Sequence, residues 1–413
     1  MWISFPKIEF PDRPVLHFDG IVKHGFGHNL VNGFSAFLFA ASGPGAMILA
    51  VGMAADLPAS VIGSWIFAGY FLSGMLSVLV CYLYRQPLTF GYSMPAVVIV
   101  GPALMTLSFS ELIGAYIVTG VLILFLAATG LIRRATAALP QPIVMAMVAG
   151  VFLPYGLKMI EAFETDVWLG GSMILGYMIV AALPMLKDRF PPLLAALLIG
   201  SLLIVLSGKV GPLSATNNII VQPVFFRPDF NFTALLEFVI PLTITVVGIH
   251  NPQGFAILKN EGYRPPQNLS TLICGGGSVL YGGLGCVPTV VTGPANAILN
   301  VSGDKRWRFV GGLWFGFFFM LFGVFAPLGL QLGMALPYVF ITTLAGLAMI
   351  PVLQGAFVTS FQGPYSLGAL VTFLITVAGV SIFGVGAAFW GLVFGYLVGK
   401  FVEQGVVIEE NPK

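Results

Sequence analysis

From Val31 to Phe401, apolar runs of helix-spanning length follow one another with only short polar breaks between them. A run of about twenty apolar residues is the length a helix needs to cross a bilayer. Nothing else in the chain restricts its fold as tightly. Of 413 residues, 58% are hydrophobic and 8% charged, and the mean hydropathy is +0.97. A soluble chain of this size needs a far more polar surface, so the sequence describes a polytopic membrane protein whose main partner is the lipid bilayer. The amino terminus, "MWISFPKIEFPDRPVLHFDGIVKHGFGHN", has acids and prolines and no early apolar stretch, which argues against a cleaved signal peptide. Cys81, Cys274 and Cys286 lie in or beside apolar runs with no CxxC spacing, so neither a disulfide framework nor a zinc site is indicated.

Reading the breaks predicts fourteen spans, at roughly 30–55, 60–83, 88–108, 111–131, 139–156, 168–186, 191–207, 235–258, 268–284, 286–301, 309–334, 337–355, 364–381 and 384–402. The positive-inside rule tests that count. With a cytoplasmic amino terminus, Lys7, Arg13, Lys23, Arg85, Arg133, Arg134, Lys187, Arg189, Lys259, Arg264, Lys305, Arg306, Arg308, Lys400 and Lys413 all fall inside. Only Lys158, Lys209 and Arg227 fall outside. Both termini are therefore expected in the cytoplasm, with the loop around Lys158–Asp166 external.

One phrase occurs twice. Tyr92–Ala103 reads "YSMPAVVIVGPA" and Gly285–Ala295 reads "GCVPTVVTGPA". Two further echoes keep the same order: "GPGAMIL" (Gly43–Leu49) with "PQGFAIL" (Pro252–Leu258), and "ALPQPIVMAMVAGVFLP" (Ala138–Pro154) with "ALPYVFITTLAGLAMIP" (Ala335–Pro351). Each pair lies seven spans apart, and an odd-numbered repeat inserts the other way up, so a 7+7 inverted repeat is expected. A proline pushes the residue before it toward extended geometry and itself suits the first turn of a helix. Pro95 and Pro288 thus read as starts of half-helices, each preceded by a short extended segment, in spans 3 and 10. Unwound backbone at membrane depth is tolerated only inside protein or along a cavity. Two half-helix amino termini facing each other, each with unpaired N–H groups and a partial positive charge, suit a small anion without any cationic side chain.

The acids lie in tails, loops or helix ends, with Asp56, Glu111 and Glu237 nearest to lipid, and no Lys or Arg falls mid-span. His250, in "VVGIHNPQGF" of span 8, is the intramembrane titratable candidate: either a carrier of a symported proton or a hydrogen-bonded packing histidine. The expected substrate contacts are Ser93, Met94, Pro95 and Ala96; Cys286, Val287, Pro288 and Thr289; Ser42 and Gly43 in span 1; and His250, Asn251 and Gln253 in span 8. His24 and His28 in "HGFGH" have metal-like spacing, but the glycines oppose a helix and no third ligand is near. "CGGGSVLYGG" has no strand–helix context for a nucleotide loop. No metal, cofactor or nucleic acid is expected, and no nucleophile–base pair suggests an enzyme. On chemistry, a monocarboxylate with an apolar or aromatic body fits best. A nucleobase would want an intramembrane carboxylate, and a heavily hydrated inorganic anion a more polar lining.

"YRQPLTFGYSMPA" (Tyr84–Ala96), "RRATAALPQPIVMAMVAGVFLP" (Arg133–Pro154) and "GIHNPQGFAILKNEGYRPP" (Gly248–Pro266) resemble the matching stretches of the bacterial benzoate membrane transport family. The resemblance runs along most of the chain. It implies proton-coupled import of an aromatic carboxylate at the inner membrane, on a fold similar to the nucleobase and sulfate permeases. It further implies a core of residues 30–131 and 235–334 and a gate of residues 139–207 and 337–402. These would be flanked by a cytoplasmic segment 1–29 and a tail 403–413. The core would move against the gate in an elevator-like cycle, within a homodimer joined through the gate.

Overall fold

A computed structural model describes residues 8–11, 21, 23–130, 140–183, 192–211, 219–300, 303–380, 382 and 387–403. Arg133, Arg134, Lys187, Arg189 and most of both terminal segments lie outside the described residues. The fold is mostly helical. In chain order the elements are α1 (His28–Ala54), α2 (Ala59–Tyr84), β1 (Phe90–Tyr92), α3 (Met94–Ala103), α4 (Phe109–Thr129), α5 (Gln141–Thr165), α6 (Val167–Ala182) and α7 (Pro192–Leu206). The second half runs α8 (Phe232–Asn260), α9 (Gln267–Gly283), β2 (Thr289–Val291), α10 (Gly293–Leu299), α11 (Arg308–Val324), α12 (Ala326–Ala335), α13 (Tyr338–Phe361), α14 (Ser366–Ala378) and α15 (Ala387–Val398). Six of these, α1, α2, α4, α5, α8 and α13, are long and apolar enough to cross a membrane.

Several boundaries differ from the sequence reading. α5 and α13 run well past their expected ends, so Lys158 and Glu161 lie on a helix and not in a loop. Both helices start directly after a proline in extended geometry, Pro140 and Pro337. Both also carry a second proline, Pro154 and Pro351, without ending there. Neighbouring helices can absorb such a break in a membrane protein. The expected span 309–334 is split at Phe325, just before Pro327. The helix carrying His250 is unbroken: α8 is continuous, with wider π turns at Leu235–Val239 and Thr245–His250. Pro241 and Pro252 lack the N–H that would bond four residues back, and a π turn upstream accommodates each missing donor.

Small residues set the closest helix crossings. A Cβ on Gly74 (α2) would lie 2.5 Å from the Gly316 carbonyl (α11), and one on Gly316 would lie 2.6 Å from the Gly74 carbonyl. Gly120 (α4) and Gly275 (α9) make the same mutual approach, at 2.8 and 3.1 Å. Only glycine lets backbones come this near, as small residues do at membrane helix interfaces. α5 packs along α13 and α14, and at Gly43 α1 touches both α13, through Ala348, and α7, through Leu193.

Candidate functional site

The two strands come from opposite halves of the chain and pair antiparallel, with Phe90 opposite Val291, Gly91 opposite Val290 and Tyr92 opposite Thr289. The ladder continues one step beyond each end: the Ser93 N–H donates to the Pro288 carbonyl at 2.9 Å, and the Thr292 N–H to the Thr89 carbonyl at 3.0 Å. The chain reaches β1 through Arg85, which ends α2 with φ 51°, and reaches β2 through Gly285 at φ 86°. At Gly285 glycine is needed twice over, for the positive φ and because a Cβ would sit 2.9 Å from the Phe226 ring.

Directly after the strands, α3 and α10 begin. Ser93 and Thr292 are their cap residues, both extended, and neither side chain caps its helix. Pro95 and Pro294 occupy the first turn of each. This corrects the expected register of the repeat. Pro95 starts a half-helix as predicted, whereas Pro288 precedes β2 and the second half-helix starts at Gly293. "SMPA" (Ser93–Ala96) therefore corresponds to "TGPA" (Thr292–Ala295), and the Val-Val similarity that suggested the other alignment pairs a helix with a strand. Thr289–Val291, three consecutive β-branched residues, suit extended geometry. Val97–Val100 are β-branched too and helical, so it is the pairing with β1 and the bonds to Ser278 and Asn251 that fix the strand.

The other edge of each strand is held by side chains. The Phe90 N–H donates to Ser77 Oγ at 2.9 Å and the Thr289 N–H to Ser278 Oγ at 3.1 Å. These serines lie in a "SVL" echo, Ser77–Leu79 in α2 and Ser278–Leu280 in α9, which is a fourth repeat signal in the sequence. Asn251 Oδ1 accepts from the Val291 N–H at 3.0 Å, and Asn296 Oδ1 accepts from the Thr89 N–H at 2.9 Å. Tyr92 Oη donates to Tyr70 Oη at 3.0 Å, and Tyr70 Oη to the Ala40 carbonyl at 2.8 Å, which fastens β1 to α1.

The predicted residues separate into two groups around this crossing. Ser93 is fully buried and its hydroxyl has no partner among the described residues. Met94 is half-buried beside it, with Pro95 and Ala96 buried. Gln253 is exposed, and its side chain lies against the start of α10, since a Cβ on Gly293 would come 2.8 Å from Gln253 Cδ. His250 is half-buried, with Nδ1 3.0 Å from the Thr245 carbonyl. A carbonyl only accepts, so Nδ1 carries the proton and Nε2 is left to gain or release one. These residues border the helix starts.

Cys286, Val287, Pro288 and Thr289 are buried, and Thr289 Oγ1 donates to the Gly91 carbonyl at 2.8 Å. Their geometry is that of a support for the crossing. Asn251 is also buried, with Oδ1 committed to β2. Gly43 is packed against Ala348, and Ser42 lies in α1 with its side chain outside the described residues. Asn296, absent from the sequence reading, is fully buried at the centre. An Asn inside a seven-residue apolar half-helix was the available signal. Among the described residues no group of three or more His, Cys, Asp or Glu side chains could hold a metal, and His24 instead stacks on Trp307 at 4.3 Å. Glu237, expected near lipid, is buried in the first π turn of α8.

Half-helices meeting within a bundle of membrane-length apolar helices are the architecture of a membrane transporter. The chain belongs to the benzoate membrane transport family: the family described as "Benzoate membrane transport protein" matches residues 27–401. It is 28% identical over 373 residues to the "Inner membrane protein YdcO" of Escherichia coli (strain K12), covering 89% of this chain and 93% of that one. It is 27% identical over 375 residues to the "Benzoate membrane transport protein" of Acinetobacter baylyi (strain ATCC 33305 / BD413 / ADP1), with the same coverage of 89% and 93%. Among solved structures it is similar to SLC26A9, with TM-score 0.63, 12% identity, and 99% of this chain and 74% of that chain covered. It is also similar to the transmembrane domain of the cyanobacterial bicarbonate transporter BicA, with TM-score 0.59, 14% identity, and coverage of 92% and 98%. Those two likenesses concern the fold. The family is one of membrane transporters and not of enzymes.

Proposed function

We propose that the protein is a secondary active transporter that moves a small organic anion, such as benzoate or another aromatic carboxylate, together with a proton. One observation carries the reading: two uncapped half-helix starts flank a buried strand crossing, with the Ser93 hydroxyl, which has no partner among the described residues, at one of them. A helix start with unpaired N–H groups favours negative charge, and the longer α3 contributes more than the seven-residue α10. A carboxylate set against Ser93–Ala96, with Gln253 alongside at Gly293, needs no cationic side chain. His250 Nε2, half-buried one turn before Gln253, is the group proposed to take the proton. An aromatic body suits the apolar surroundings better than a hydrated inorganic anion does, and the family and the named benzoate relative support the same cargo.

The proposed transport cycle is an elevator-like movement of a core (30–131 and 235–334) against a gate (139–207 and 337–402), in a homodimer joined through the gate at the inner membrane. The chain would cross fourteen times as a 7+7 inverted repeat. The matched Gly74–Gly316 and Gly120–Gly275 crossings support that symmetry. Both termini would lie in the cytoplasm. That orientation rests on the positive-inside count. The grouping of loops by side, whichever side is cytoplasmic, is supported by the contacts of Arg308 with Glu261 and of Lys209 with Asp166.

Flux into proteoliposomes tests the function. With an inward proton gradient, labelled benzoate should accumulate and benzamide should compete far more weakly, because the helix starts favour the anion. Accumulation of sulfate or bicarbonate in preference to benzoate, or equal competition by acid and amide, refutes the reading.

A further inference from the structure

Asn296 occupies an unusual place among the residues around the crossing. It lies three positions inside α10, fully buried, yet both its acceptor bonds go to Thr89, at the other strand and 207 residues away. The Thr89 N–H, 2.9 Å away, can only donate, so the atom facing it is the carboxamide oxygen. That orientation directs the rest of the chain of bonds. Thr89 Oγ1, 2.8 Å from the same oxygen, must donate to it, and so has only lone pairs to offer Thr292 Oγ1, also 2.8 Å away. The Thr292 hydroxyl hydrogen is thereby drawn toward Thr89, and Thr292 leaves the start of its own helix uncapped. Asn296 Nδ2 finds no partner among the described residues.

We propose that Asn296 is a positioning residue, whose Oδ1–Thr89–Thr292 relay locks the two halves of the crossing in register and holds the Thr292 cap turned away from α10. Its link to substrate affinity rests on the transport reading above; its link to strand geometry does not.

Hydrogen exchange on the full-length protein in detergent micelles, without substrate, separates the two. Asn296→Ala should speed exchange of the Thr89–Tyr92 amides about tenfold or more, the order expected when two buried hydrogen bonds are lost. Exchange in α13 should not change. Asn296→Asp keeps the acceptor oxygen and should restore most of that protection, while its carboxylate opposes an anionic substrate and keeps the apparent KM for benzoate raised. In proteoliposomes Asn296→Ala should raise KM about tenfold with a much smaller fall in maximal rate. Thr89→Val removes only the hydroxyl and serves if Asn296→Ala does not fold; it should speed the same amides by a few-fold, and the two effects on KM should not add. Unchanged Thr89–Tyr92 exchange in Asn296→Ala, or in Thr89→Val where that variant stands in for it, overturns the proposal, as does full additivity in KM. If exchange responds as described but no carboxylate is transported by the wild type, the transport reading fails while the positioning role stands.

Discussion

Gly293→Ala isolates the contribution of Gln253 to the site. A Cβ at Gly293 would lie 2.8 Å from Gln253 Cδ and 3.0 Å from both Cγ and Oε1, about half an ångström inside ordinary contact. All three atoms belong to an exposed, flexible side chain, so Gln253 can swing aside without disturbing backbone. Gly293 has no positive φ, and replacing glycine at such a position costs no backbone strain and stabilises by about 0.4–1 kcal/mol, because the unfolded chain loses conformational entropy. Stability should therefore hold or rise slightly. The substrate contact from Gln253 should be lost, worth about 0.5–1.5 kcal/mol for one hydrogen bond, or roughly a 2- to 12-fold weaker apparent affinity for benzoate. Gly74→Ala is the contrasting case: its Cβ would meet the Gly316 carbonyl at 2.5 Å, backbone that cannot move aside, and overpacking of that kind costs about 1–3 kcal/mol. Thermal unfolding and uptake in proteoliposomes read both effects. In a Gln253→Ala background, Gly293→Ala should weaken affinity no further. Additive losses, or a melting temperature that falls as far as in Gly74→Ala, would refute the assignment of Gln253.

His250→Gln removes the titratable Nε2 and retains hydrogen-bonding capacity, so benzoate binding should persist while the dependence of uptake on a pH gradient flattens. Accumulation driven by pH in that variant would leave His250 a packing residue. On the opposite charge cluster, Asp166 caps α6 by accepting from the Leu169 N–H at 3.1 Å and pairs with Lys209. The Lys209 hydrogen bond, followed by that of Leu169, holds its carboxyl below the usual range. A depressed pKa adds stability above the unfolded value, near 4, and that stability disappears as pH falls through the folded one. Asp166→Ala should therefore unfold earlier at pH 7, by about 1 kcal/mol for a lost cap. The gap to wild type should close only below about pH 4, and a gap that persists there would assign the effect to packing.

Much of this was legible in the sequence because lipid restricts the options. Helical elements fall in each of the expected spans, since long uncharged apolar runs have few alternatives to helix. The β1–α3 unit was readable from Pro95, whose ring acts on its immediate neighbours. Helix ends were less readable: α5 continues to Thr165 because polar residues such as Lys158 and Glu161 extend a helix out of the apolar layer as easily as they end one. The supports of the crossing were the least accessible. Ser77, Ser278, Thr89 and Asn296 act through tertiary contacts, and each looks like an ordinary small polar residue in an apolar helix or a turn.

The misplaced register shows how far local rules reach. Pro95 and Pro288 share a following Val-Val, but a proline can open a helix or simply precede a strand. Thr289–Val291 are all β-branched, but so are the helical Val97–Val100, so tertiary pairing and not local propensity decides between them. The two registers make different physical predictions. In the observed one, Phe90 and Val291 are directly opposite in a non-hydrogen-bonded pair, since the flanking bond runs from Thr292 to Thr89. Such pairs bring their Cα atoms to about 4.5 Å, within reach of a disulfide. The register with Pro95 matched to Pro288 would instead bring Phe90 opposite Gly285. A protein with Cys81, Cys274 and Cys286 replaced by Ser, and with Phe90→Cys and Val291→Cys introduced, should crosslink readily on mild oxidation and shift its mobility after proteolysis between the halves. The Phe90→Cys, Gly285→Cys pair should not crosslink. The reverse pattern would mean that the strands pair as the doubled phrase suggests, and the correspondence of Ser93 with Thr292 would have to be abandoned.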